Sequence, residues 1–292
     1  MINGDSKLSI SQRVLYFLQC IKNWFQIIPR NKLSISSVNL QSDPDSVGTP
    51  SRILSNMFWK NIDWNNIASQ LGDKVNIFDI ACGRGQYGLK YREYLGENFE
   101  SYTGLDIYKS SDFPDSFIHI LDKAENLTKY YNNQNLIVSQ SALEHIEKDI
   151  QVLTNSLSSQ LSSKEKFMQI HLVPASASLF LYLWHGWRQY SLRNLSSISN
   201  ELNSIANVQI KIFPIGGLNS FYTHLIYVTL PVILSKIFKF KADDWNIECT
   251  KASLRIRSAV LKDRKVKGHL PTFWAFVIAS EEMDCSNLFK QD

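Results

Sequence analysis

The sequence predicts an α/β fold with a doubly wound, mostly parallel sheet. Three observations carry that reading: strand-length apolar runs alternate with stretches of helical periodicity, a glycine cluster follows the first such run, and acidic residues recur where the runs end. The composition agrees. A chain of 292 residues that is 44% hydrophobic, with 12 Gly and 8 Pro, is neither disordered, collagenous nor low in complexity.

The elements follow in order. Residues 1–50 are polar except over Val14 to Ile28, where Val14, Leu15, Phe17, Leu18, Ile21, Trp24, Phe25 and Ile28 recur near helical spacing. This predicts an amphipathic helix packed on the domain or on a partner; an interfacial membrane helix is the alternative, disfavoured by the lack of a rich basic face. Ser42 to Ser51 collects turn formers and reads as a linker, so the first 50 residues form a helical extension and the main domain spans 51–292. Within it a helical stretch at 53–71 precedes strand candidates starting at Val75, Ser101, Phe117, Asn135, Phe167, Val208 and Phe273, with helical patterns at 87–94, 143–161 and 192–205.

The segment Phe221 to Phe240 is apolar, yet His224, its threonines and Pro231 make it a poor membrane-spanning helix. A buried or groove-lining helix pair is expected there, with membrane contact the alternative. The basic run Lys251 to Lys267 behind it reads as a solvated face or, beside an apolar hairpin, as a holder of lipid phosphate.

Charge and cysteines narrow the classes. Thirty-one Lys and Arg against 27 acids, a net +4, is mild for a dedicated nucleic-acid binder. Cys20, Cys82, Cys249 and Cys285 are far apart and form no C-x-x-C pair, so no zinc site is expected. With no leader-like start, these thiols point to a cytoplasmic protein.

The informative stretch is Val75 to Gly88, VNIFDIACGRGQYG, in which Gly83, Gly85 and Gly88 open a helix after a strand ending in Asp79. A dinucleotide would place its pyrophosphate there, and a carboxylate opposes that. An ammonium and a sulfonium are instead attracted by it. Asp106, ending the second strand in Gly104-Leu105-Asp106-Ile107, can accept from both hydroxyls of a ribose. Asp122, after the third strand, is a candidate for an adenine amino group or an ordinary turn former.

Together D-I-A-C-G-R-G-Q-Y-G, G-L-D-I, D-K-A-E-N-L and S-A-L-E-H-I, each at the end of an expected strand, resemble the class I S-adenosylmethionine-dependent methyltransferases over roughly residues 51–161. The resemblance implies a Rossmann-like doubly wound sheet of seven strands whose last is antiparallel, with a helical insert at about 214–271 before it. It also implies S-adenosyl-L-methionine as cofactor, held by Asp79, Ala81, Gly83, Gly85, Gly88, Asp106, Ile107, Asp122, Ala124 and Ser139. Ala81 replaces a glycine usual in the family, which is tolerable if the backbone there needs no positive φ. Some quinone-type relatives bind a metal through E-x-x-E-H; Ser141 stands in place of the first acid, so no metal is expected.

Methyl transfer to a hydroxyl needs alignment and a base. His145, beside Glu144, and His185 are the candidate bases. The segment from His171 to Ser191 is rich in aromatic and polar groups suited to a sugar ring, with Trp184, Arg188, Gln189 and Tyr190 as acceptor contacts. It resembles bacterial methyltransferases encoded with surface-polysaccharide enzymes, which implies O-methylation of a glycan or its lipid-linked precursor, with possible peripheral contact at the inner membrane face. Methylation of a quinone or small lipid, methylation of RNA, and a degenerate binding protein are the alternatives.

Overall fold

The structure is a computed structural model and describes residues 9–25, 33–38, 40–41, 48–181, 186–231, 233–234, 254–255, 257–263 and 270–290. Seven strands, β1 (Val75–Ile80), β2 (Phe99–Asp106), β3 (Ile118–Leu121), β4 (Leu136–Gln140), β5 (Met168–Pro174), β6 (Val208–Ile215) and β7 (Phe273–Ser280), form one sheet in the order β3-β2-β1-β4-β5-β7-β6. The first five run parallel, and β7 is antiparallel to both of its neighbours. The order reverses direction between β1 and β4, which opens a crevice at the carboxyl ends of the strands.

Strand periodicity divides the core into two layers. Val75, Ile77, Tyr102, Val138, Ile170 and Val277 face one side, under α2 (Pro50–Asn61), α3 (Trp64–Leu71) and α4 (Gln86–Leu95). Phe78, Ile80, Leu105, Ile137, Val173 and Ile278 face the other, under α5 (Asp149–Ser163) and α6 (Leu192–Ile205). Burial on both faces is why these runs read as almost continuously apolar.

The expected single helix at 53–71 is broken. α2 starts at Pro50 with Thr49 as its cap, and ends at Ile62, which adopts an extended conformation and bridges to Phe289. Asp63 then caps α3 by accepting from the Asn66 N–H at 3.1 Å. The expected helix from Leu143 also changes: a 3₁₀ turn at Leu143–His145 comes first and α5 starts only at Asp149.

The N-terminal helix α1 (Ile10–Phe25) begins four residues before its apolar pattern, and Tyr16 meets Trp187 edge-on at 5.4 Å. The chain beyond it also joins the domain. Ser36 N–H donates to the Ile212 carbonyl at 3.0 Å, Ile212 N–H donates to Ser34 at 2.9 Å, and Leu40 lies in the core. Residues 34–36 thereby cover part of the β6 edge.

In the insert, α7 (Leu218–His224) continues through a π-helical turn, Leu225–Thr229, just before Pro231. Proline has no N–H to continue the ladder, which accounts for a wider turn at this point. Phe221 packs on Ala177 and Leu181, but Leu218, Tyr222, Ile226, Leu230 and Leu234 are exposed. Of the expected buried or groove-lining helix pair at 221–240, the described residues are buried on one side and open to solvent on the other, and residues 232 and 235–240 lie outside the described residues. No helix among the described residues is long and apolar enough to cross a membrane.

Candidate functional site

The crevice is floored by the turn between β1 and α4. Ala81, Gly83 and Gly85 all lie in the left-handed region, at φ +58°, +58° and +68°. The turn thus does require positive φ at Ala81, contrary to the condition under which alanine was expected to fit, and the methyl group is carried at a cost. The three glycines of the motif differ in purpose. A Cβ at Gly85 would come within 2.7 Å of the Phe113 ring, and one at Gly88 within 2.8 Å of Phe117, so both allow close packing. At Gly83 nothing lies within 4 Å, which leaves open space where a ligand can approach the main chain.

Asp79 lies in the wall beneath this turn. Its carboxylate is buried and accepts from the Tyr102 hydroxyl at 2.6 Å. Burial pushes its pKa up to about 7; the Tyr102 hydrogen bond opposes the rise, and the Asp106 charge adds to it. Burial also raises the neighbouring Cys82 thiol, helped by Asp79 and Asp106, so it stays protonated.

Asp106 ties the two strand ends together. Its Oδ2 accepts from the Gly83 N–H at 2.8 Å and its Oδ1 from the Tyr108 N–H at 3.0 Å. A carboxylate oxygen has room for a second donor, so both oxygens retain acceptor capacity toward a pair of hydroxyls. Ile107 beside it is exposed, and Ala124 is buried at the start of a 3₁₀ turn.

Asp122 is held differently. Oδ1 accepts from the Lys123 N–H at 2.7 Å and Asn126 Nδ2 at 2.8 Å, and Oδ2 accepts from the Tyr130 hydroxyl at 2.7 Å. Asn126, Tyr130 and the Lys123 N–H, in that order, lower its pKa to about 2. This is a turn-forming arrangement that stays ionised. Ser139 points away from the glycine turn, bonding His171 Nδ1 at 2.9 Å inside the α5 layer.

The other wall is built where β4 ends. Ser141 turns the chain at φ +48°, and the following 3₁₀ turn presents His145 beside buried Glu144, with Nε2 3.9 Å from Oε1. Gly186 packs against Glu144, whose carbonyl accepts from the Trp187 N–H at 2.6 Å. Arg188 donates to the carbonyls of Ile146 at 2.9 Å and Glu147 at 2.7 Å, and pairs with Asp149 at 2.5 Å. The Tyr190 hydroxyl donates to the same carboxylate at 2.7 Å. Arg188 and Tyr190 thus hold the loop that carries His145, and Gln189 is buried between them. Trp184 and His185 lie outside the described residues.

Three contributors were missed by sequence reasoning: Tyr102, Asp149 and the α1 helix, whose Arg13, Tyr16 and Cys20 line a pocket with Trp187 and Gln189. Asp149 carried a weak signal as an acid opening a helix. Tyr102 had none, since it reaches Asp79 only through the register that pairs Ile77 with Tyr102 and Asp79 with Gly104. Among the described residues no three His, Cys, Asp or Glu side chains converge as a metal site.

No protein-family model and no curated protein sequence matches the chain. Solved structures similar to it include the plantazolicin methyltransferase BamL in complex with a triazolic desmethylPZN analog and SAH. That likeness has 15% identity and a TM-score of 0.47 over 79% of this chain and 85% of the other. A SAM-dependent methyltransferase from Archaeoglobus fulgidus shares 14% identity, with a TM-score of 0.44 over 80% and 95%. The [4+2]-cyclase SpnF shares 12%, with a TM-score of 0.48 over 97% and 98%. The strand order and the antiparallel β7 between β5 and β6 carry the assignment: the chain has the Rossmann-like, seven-stranded fold of the class I methyltransferases.

Proposed function

We propose that this chain is an S-adenosylmethionine-dependent methyltransferase acting on a hydroxyl, with a sugar of a surface glycan or its lipid-linked precursor as acceptor. The observation that carries the reading is the floor of the crevice. Gly83 is open above, its N–H is held by Asp106, and a buried carboxylate, Asp79, lies below where a dinucleotide would need a neutral or positive seat.

These residues fit the methyl donor. Asp106 binds the ribose hydroxyls through its remaining acceptor capacity, Gly83 lets the cofactor approach the main chain, and Asp79 supplies negative field toward its positive end. When bound, S-adenosylmethionine supplies a methyl group on a positively charged sulfur. His145 would receive the proton that an acceptor hydroxyl loses. Glu144 Oε1 lies 3.9 Å from Nε2 of His145. Arg188, with its guanidinium on Asp149 and two carbonyls, acts as a positioning residue for that loop rather than as an acceptor anchor.

A lipid or quinone acceptor is the second reading, favoured by the exposed apolar side chains Leu218, Tyr222, Ile226 and Leu230 on and just after α7. Incubating the protein with methyl-labelled cofactor and fractionated cell extract separates the two. Label in polysaccharide is expected. Label only in the organic-extractable fraction assigns the second reading, and label in neither, with the cofactor bound, overturns both.

A further inference from the structure

We propose that Ser141 selects an oxygen acceptor: its hydroxyl donates a hydrogen bond to the acceptor oxygen whose proton goes to His145, and Trp59 and Gln140 set the direction of that donation. This rests on the methyl-transfer reading above and adds a contact on the acceptor side, one that forms and breaks no covalent bond.

The starting observation is the backbone. Ser141 lies at φ +48°, in the left-handed region, where serine is strained and glycine or asparagine is more at ease. Residues held in such conformations gather at functional sites. Ser141 follows β4 at the carboxyl edge of the sheet. The pairing of β1 with β4 ends at Ile80 and Ser139, so Cys82 and Ser141 each stand two residues past it, which puts the serine beside the turn that floors the crevice. The 3₁₀ turn that ends in His145 begins two residues later, at Leu143.

Hydrogen bonds then orient the hydroxyl. By strand alternation Gln140 points to the same face as Val138 and, across the register, Asp79, the face covered by α2. There the Trp59 indole N–H donates to Gln140 Oε1. An indole can only donate, so the amide cannot be reversed: Nε2, with its two hydrogens, faces Ser55 Oγ at 2.8 Å and Ser141 Oγ at 3.4 Å. An amide nitrogen accepts nothing, so the Ser141 hydrogen points away from it, and among the described residues no acceptor takes it. Ser141 and His145 are both partly exposed.

An attacking hydroxyl has one hydrogen and two lone pairs. With the hydrogen on His145 and one lone pair on the Ser141 donor, the other lone pair is aimed at the reacting carbon. A neutral amine has a single lone pair, and a donor at Ser141 competes for it. The pair of groups on this turn therefore suits oxygen and opposes nitrogen.

The test uses the full chain and follows label from methyl-labelled S-adenosylmethionine into fractionated cell extract, with cofactor affinity by calorimetry and urea unfolding measured beside it. Glycine relieves the backbone, so Ser141→Gly should unfold at no lower urea than the wild type. It should bind the cofactor within about threefold of the wild type, yet transfer label about tenfold or more slowly. Asparagine tolerates the left-handed region and carries an N–H donor, so Ser141→Asn should recover most of the lost rate. Gln140→Glu still accepts from Trp59 but turns an acceptor toward Ser141, which draws the serine hydrogen inward; transfer should fall as in Ser141→Gly. Wild-type transfer by Ser141→Gly or Gln140→Glu overturns the proposal alone. So does Ser141→Asn no better than Ser141→Gly, a loss of cofactor affinity in Ser141→Gly as large as its loss of transfer, or label recovered on nitrogen. Label passed to no fraction by the wild type overturns the methyl-transfer reading and this proposal with it.

Discussion

At the scale of single residues, the site is made of groups held away from their ordinary states. Ala81 at φ +58° costs about 1–2 kcal/mol relative to glycine. Ala81→Gly should therefore raise stability by about 0.5–1 kcal/mol in urea unfolding, after the entropy of a freer unfolded chain is subtracted; a loss of stability would contradict the strain. Asp79 gives a pH signature. Its folded pKa is raised to about 7 from about 4 in the unfolded chain, so its contribution to stability is full below about pH 4 and is lost as pH rises through 7. Asp79→Asn keeps an acceptor for Tyr102 and should flatten the fall in stability between pH 5 and about 8. An unchanged pH profile in that variant would mean that Asp79 is ionised throughout. Asp79, Asp106 and the glycines were legible because each ends a strand or opens a turn. Tyr102 was not, because its role depends on which residues of β1 and β2 stand side by side.

At the scale of elements, β1, β4, β5 and β7 were legible because doubly buried strands are short, nearly continuous apolar runs between turn formers. The ends of the helices were less so. The break at Ile62–Asp63 is imposed by residues 288 and 289, which insert there through the Asp63 N–H bond to the Leu288 carbonyl and the Ile62 bridge to Phe289. The local sign of the break is Asp63, a helix-capping residue type. The late start of α5 has a similar cause, since Arg188 draws out residues 146–149 from a distant loop. Arg188→Ala leaves Asp149 buried with only the Tyr190 hydroxyl as its partner. We expect a loss of about 2–3 kcal/mol in urea unfolding, tempered by the quarter exposure of the Arg188 side chain. Arg188→Lys should recover less than half of it, because one ammonium cannot serve the carboxylate and two carbonyls in the same fork. Full recovery by lysine would sink the clamp. Between β5 and α5, His171 sits in a polar chain: Ser139 bonds Nδ1 at 2.9 Å and Gln169 Oε1 accepts from Nε2 at 3.0 Å. Burial lowers the His171 pKa to about 3, so the ring is neutral and structural.

At the scale of the molecule, the described N-terminal residues pack on the domain. Tyr16 against Trp187 and Cys20 beside the same segment join α1 to residues 186–189, and Leu40 lies in the core under α2 and α3. The sequence pattern suggested a helix and a linker but not their target, because a helix's apolar stripe does not say which surface it meets. The insert posed the converse problem: its apolar content was plain, and only the fold divides that content into a buried side and an exposed one. At the centre of the proposed function is what the crevice over β1 and β2, floored by Gly83, Asp79 and Asp106, accepts. Calorimetric titration of the purified chain with S-adenosylmethionine and, separately, with NADH tests it most directly. We predict one saturable site for the methyl donor, weakened about tenfold or more by Asp106→Ala, and no binding of NADH; NADH bound in place of the methyl donor, or affinity unchanged in Asp106→Ala, would contradict it.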